Sequence, residues 1–257
     1  MRKIAILAGV ACLGTAAFAY GPLLPWSPVK PGYDAARYSR AAIYFDRAEP
    51  LLQDFREVDR MMNEAEAFHA LRFRRAVQVI ACKSWGDCRR ALPWLNTHAL
   101  GGVTLATGDV IYITPKLREQ HFSTREFLRH ELSHALIFQN TTLLAAYRMN
   151  TVPWLGEGLA VSFGRQHDYL RREEFLAMAP ASPAWNARFA NPAQRYVTEY
   201  LKHRHGPALF AVYLRRTITA PERGTELFEP TFQVPLGAAI ASYQRDVRAG
   251  AGPPPEE

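Results

Sequence analysis

The segment from Ser123 to Asn140 constrains this chain more than any other. Ser123-Thr124-Arg125-Glu126 has the form of a capping box, in which the serine hydroxyl accepts from the free amides of a first helical turn and the glutamate reaches back. Phe127, Leu128, Leu132, Ala135, Leu136 and Phe138 then supply apolar faces, so the spacing predicts a largely buried helix over about 123–140. Inside it lies His130-Glu131-Leu132-Ser133-His134. Four residues advance a helix by slightly more than one turn, so His130 and His134 point the same way. Two imidazoles and a carboxylate in an apolar helix are costly to bury without partners. A divalent metal removes that cost: two imidazoles one turn apart can hold one zinc ion, with Glu131 beside it as a general base. The alternative is a surface helix with incidental His and Glu, and the capping box and apolar flanks weigh against it.

A five-residue motif can arise by chance, and zinc hydrolases keep three protein ligands, so a third ligand is required. Val152-Pro153-Trp154-Leu155-Gly156-Glu157-Gly158-Leu159-Ala160 supplies a candidate in Glu157, 23 positions after His134. A connection of that length can return a second helix beside the first. The flanking glycines allow two backbones to approach closely. A solvated glutamate is the alternative, and the apolar company from Trp154 to Val161 weighs against it.

Together, His130-Glu131-Leu132-Ser133-His134 and Trp154-Leu155-Gly156-Glu157-Gly158-Leu159-Ala160 resemble the gluzincin zinc metallopeptidases, and most of all the peptidase MA-like family, related to the thermolysin and aminopeptidase groups. The likeness covers about 40 residues. It implies a zincin-like fold, one zinc ion on His130, His134 and Glu157, Glu131 as the catalytic general base, and a peptide or protein substrate. The aminopeptidases of that superfamily carry a Gly-Ala-Met-Glu-Asn-like segment. Gly101-Gly102-Val103-Thr104 stands here instead, so aminopeptidase activity is not carried over.

An oxyanion donor is also expected for such chemistry. Tyr196 and Tyr200 lie in the following helical stretch, and Tyr196 is the favoured candidate; a tyrosine on an apolar helix face is more often core. His203 and His205 are a further option, although Lys202-His203-Arg204-His205 reads first as a solvated helix end. His69, His98, His121 and His167 have no partner pattern and read as structural. Asp109–Thr114 reads either as an edge strand along which an extended peptide could add or as part of an ordinary hairpin.

The remaining sequence sets the frame. Met1-Arg2-Lys3 precedes an apolar run of 16 residues, Ile4–Ala19, that ends Ala17-Phe18-Ala19. Residues 1–19 therefore read as a secretory signal peptide or a single membrane anchor, and the body as exported, periplasmic or secreted. In an oxidising compartment Cys82 and Cys88 are expected to form a local disulfide, with free thiols as the alternative. Residues 20–33 form a proline-rich linker, 34–248 a single domain, and 249–257 a disordered tail. Helices are expected over 35–48 and 51–67, strands over 76–81, 102–105 and 109–114, and then helices near 123–140, 154–163, 171–179, 192–205, 207–217 and 236–248. This is an α+β layout, a small early sheet followed by a mostly helical part.

Composition excludes several classes. With 48% hydrophobic and 21% charged residues the chain is globular, and one apolar run excludes a multi-spanning membrane protein. A net charge of +7, spread without a Lys/Arg-dense tract, makes nucleic acid an unexpected partner. Two other readings compete with the exported zinc peptidase: an inactive zinc-binding module serving binding or assembly in the cell envelope, and a tethered assembly factor without metal.

Overall fold

The computed structural model describes residues 20–27, 29–48, 52–119, 123–149, 153–166 and 190–250, with Gly14 and Phe18. The helix expected near 171–179, nearly all of the apolar N-terminal run and most of the C-terminal tail lie outside the described residues. Among the described residues, no helix is long and apolar enough to cross a membrane.

In chain order the strands are β1 (Tyr33–Arg37), β2 (Ala41–Asp46), β3 (Val77–Ala81), β4 (Gly102–Thr104) and β5 (Val110–Ile113). The helices are α1 (Val58–His69), α2 (Trp85–Ala91), α3 (Lys116–Glu119), α4 (Thr124–Gln139), α5 (Leu143–Arg148), α6 (Pro153–Gly164), α7 (Ala190–His205), α8 (Pro207–Thr219), α9 (Gly224–Phe232) and α10 (Leu236–Arg248). A small sheet and a mostly helical remainder make the fold α+β. The chain divides into two compact units: residues 1–61, 75–105 and 109–128, and residues 62–74, 106–108 and 129–257.

The first unit holds a five-stranded mixed sheet in the order β1-β2-β3-β5-β4. β2, β3 and β5 run parallel, and β1 and β4 close the edges antiparallel. Two expectations are corrected here. The stretch 35–48 is not a helix but the β1–β2 hairpin, with Tyr33 facing Asp46 and Arg37 facing Ala42. Its alanines favour a helix, but Ile43-Tyr44-Phe45 is β-branched and aromatic, and Ala41 and Ile43 alternate into the core. The Asp59 carboxylate fixes the turn by accepting from the Ser39 amide at 2.9 Å, the Ser39 hydroxyl at 2.7 Å and the Arg40 amide at 3.2 Å. The second concerns β5, for which the edge alternative fails and the hairpin alternative holds: it is internal, flanked by β3 and β4, and the edge is β4. All four residues of β5 are buried, as a parallel strand covered on both faces should be. The β4–β5 hairpin stands as expected, with Gly102 opposite Ile113.

Cys82, just past β3, is bonded to Cys88 in α2, with 5.5 Å between the Cα atoms. Ser84 caps α2, its hydroxyl accepting from the Asp87 amide. Both cysteines are buried in a cluster with Leu24, Ile80, Leu92, Val110 and Tyr112.

The second unit is helical, and its core gathers Leu136, Leu159, Phe163, Leu201, Phe210, Tyr213, Phe228 and Ile240. α6 and α7 pack together along their lengths. α6 is apolar nearly all round, and Glu157 is its one charged residue. Gly108 lies against α4: its φ is +72°, and a Cβ there would come within 2.8 Å of the Ala135 carbonyl oxygen and the Gln139 amide. Gln139 completes the join, its side chain donating to the Gly108 carbonyl at 2.8 Å and accepting from the Arg74 amide at 2.8 Å.

Candidate metal centre

α4 starts as its sequence dictates, with the Ser123 hydroxyl accepting from the Glu126 amide at 3.3 Å. Nearly two turns further on, His130 and His134 leave the same side of the helix. Their Nε2 atoms lie 3.1 Å apart. Glu157, from the second turn of α6, meets them from across the helix pair. Its Oε2 stands 3.6 Å from His130 Nε2 and its Oε1 3.4 Å from His134 Nε2. The two rings are nearly enclosed, at 12% and 13% side-chain exposure, while the Glu157 side chain keeps 30%, so the cluster is most open at the glutamate. The three donor atoms lie within 4.8 Å of one another and can hold a metal ion.

Neighbouring groups hold the two histidine rings and tie α4 to α6. His130 Nδ1 donates to Gln166 Oε1 at 2.9 Å, which leaves Nε2 as the unprotonated nitrogen facing His134 and Glu157. The His134 ring stacks on Phe138 with centroids 5.8 Å apart. Arg129 ties α4 to the end of α6: its Nε donates to the Phe163 carbonyl at 2.8 Å, its guanidinium lies 4.1 Å from the Phe163 ring centroid, and it pairs with Glu64.

The electrostatics of the metal-free cluster follow from burial and mutual charge. Burial, reinforced by the His134 charge, lowers the His130 pKa to about 4. Burial opposes charge on His134 too, but the Glu157 carboxylate more than offsets this and raises its pKa. Burial would likewise push Glu157 up, yet the His134 charge and hydrogen bond bring it down to about 2. Without a metal, the attraction between the Glu157 carboxylate and the His134 ring favours the protonated ring and the ionised carboxylate together. Glu131, only 5% exposed, lies close enough for its charge to favour the protonated His134.

His130, His134 and Glu157 are thus brought together as the sequence predicts, with Glu131 alongside. No family model matches the chain, and no curated protein matches it.

Other candidates separate. Tyr196 lies on α7, and its side chain falls outside the described residues. Tyr200 is core, stacked on Tyr243 at 4.5 Å. His203 is exposed, as a solvated helix end should be, and His205 lies against Phe232. His98 stacks on Trp85, while His121 and His167 lie outside the described residues.

Sequence reading missed two supporting residues. Gln166 carries no local signal; only the fold brings it onto His130. His69 reads as structural and is so, but its partner sits inside the motif. Its Nδ1 donates to the Ala65 carbonyl at 2.8 Å, so its Nε2 accepts from the Ser133 hydroxyl at 2.7 Å.

Burial, the positive charge of Lys202 and the nearby His134 lower the His69 pKa to about 3, so the folded protein keeps this ring neutral. The unfolded chain binds the proton below its ordinary pKa of about 6.5. Stability from His69 is therefore full above pH 6.5 and falls by about 1.4 kcal/mol per pH unit as pH drops towards 3. His69→Gln cannot titrate. In urea unfolding of the metal-free proteins, the advantage of the wild type over this variant should shrink by about that slope between pH 6 and 4. A constant difference would show that His69 is protonated in the fold.

Proposed function

We propose that this chain is an exported zinc metallopeptidase, which hydrolyses peptide bonds with Glu131 as general base and His130, His134 and Glu157 as metal ligands. The observation that carries this reading is the spacing of the three donor atoms. Ligand atoms about 2.0–2.2 Å from a tetrahedral zinc stand roughly 3.3–3.6 Å apart. The two Nε2 atoms here stand 3.1 Å apart, Glu157 Oε1 lies 3.4 Å from His134 and Oε2 3.6 Å from His130, and with one atom taken from each residue all three fall within 4.8 Å. Two neutral-capable imidazoles and one carboxylate form the donor set of hydrolytic zinc sites, which leave a position open. The partial exposure of Glu157 is consistent with access to that position. The Cys82–Cys88 disulfide supports export, since such bonds persist in oxidising compartments.

A zinc ion held there would supply Lewis acidity, polarising a substrate carbonyl and lowering the pKa of water to about 7. The chain's own residues do the rest. Gln166 fixes the His130 ring so that Nε2 faces the cluster. Glu131 is one position from His130, buried, and outside the ligand set. It accepts a proton from the attacking water and returns it to the leaving amine.

Elemental analysis of the purified protein lacking residues 1–19 tests the reading. One zinc per chain is expected, falling to near zero in His134→Ala. Absence of stoichiometric zinc in a folded wild type would leave the assembly-factor reading standing.

A further inference from the structure

Given the metal reading above, we infer that Gln166 is a positioning residue for the metal centre, delivered to His130 by the way α6 ends. α6 closes in a Schellman arrangement. The Gln166 amide donates to the Val161 carbonyl at 3.2 Å, and the Arg165 amide to the Ser162 carbonyl at 3.2 Å. Arg165 takes the left-handed conformation this requires, with φ of 56°. Glycine is the usual residue at that position, and here the glycine, Gly164, stands one residue earlier as the last of the helix. The turn folds the chain back at once instead of leading it away. Gln166 is thereby buried to 4% exposure, with its Oε1 on His130 Nδ1 at 2.9 Å.

A buried amide oxygen at that nitrogen requires the proton to sit on Nδ1. The Nε2 lone pair is then the one facing His134 and Glu157. Residues that hold the second nitrogen of a ligating histidine typically contribute 10- to 100-fold in metal affinity. Here the orienting group and the third ligand lie on the same short segment, nine positions apart, so α6 brings both to α4 as one body.

Three measurements test this. Zinc affinity by competition with a chromophoric chelator should fall roughly 10- to 100-fold in Gln166→Met, which keeps the volume and loses the oxygen. Gln166→Glu, which keeps an acceptor, should stay within a few-fold of wild type. The visible absorption of the cobalt-substituted protein should change in Gln166→Met and be preserved in Gln166→Glu. Equal zinc affinity and identical cobalt spectra in wild type and Gln166→Met overturn the inference while leaving the metal reading intact. Equal losses in both variants also overturn it, since packing alone would then account for Gln166. A wild type that binds neither zinc nor cobalt overturns both. Should Gln166→Met fail to fold, nitrogen-15 NMR of the metal-free wild type still decides: the Nδ1–H form of His130 supports the inference and the Nε2–H form overturns it.

Discussion

Replacing Glu131 with glutamine should leave zinc bound and lower peptide hydrolysis by roughly 10²- to 10⁴-fold, the usual worth of a positioned general base. Glutamine has the shape of glutamate and makes similar hydrogen bonds, but cannot accept and return a proton at neutral pH. Glu131 is 5% exposed and is not among the three clustered donors, so the substitution should disturb neither the fold nor the ligands. Two measurements on one sample separate the effects: kcat/KM on internally quenched peptides, and zinc content. Loss of turnover with unit zinc supports the assignment. Unchanged turnover removes Glu131 from the mechanism, and loss of zinc shows that it acts on the ligands.

Chelation should produce the second large effect, on stability. A ligand present at about 1,000 times its Kd adds about 4 kcal/mol to the folded state. For a chain of this size that corresponds to a fall in Tm of roughly 10 °C when zinc is stripped. The site should not collapse, because the Glu157 carboxylate and His134 attract one another without a metal, as the lowered Glu157 pKa reflects. The loss is therefore binding free energy, and adding zinc back should restore Tm. His134→Ala should melt at the lower temperature whether or not chelator is present. A wild-type Tm indifferent to chelator would mean that no metal is bound to the fold.

The helix expected over 123–140 is found as Thr124–Gln139, and the one expected over 154–163 as Pro153–Gly164. Both carry their own signals, an N-terminal cap in one and uniform apolarity in the other, so the motif and Glu157 could be placed from sequence. The β4–β5 hairpin was legible for the same reason, with Gly108 marking the turn. What failed depended on partners. Ala35–Ala48 has helix-forming composition, and only the neighbouring strand and Asp59 make it a hairpin. For β5 both an edge strand and an ordinary hairpin stayed open, because sequence shows one neighbour of a strand, its hairpin mate, and not β3 on the other side. α9 went unread since Gly224 and Pro230 both look like breakers. Gln166 and His69 lie 36 and 64 residues from the side chains they hold, and no periodicity reports that.

The disulfide described above has a consequence for handling the protein. Cys82 is 2% exposed and Cys88 not at all. Thiol exchange needs an external thiolate to approach a sulfur directly, so a reductant in the medium must wait for the corner between β3 and α2 to open. The rate at which the bridge is lost in dithiothreitol would then report how often this corner breathes.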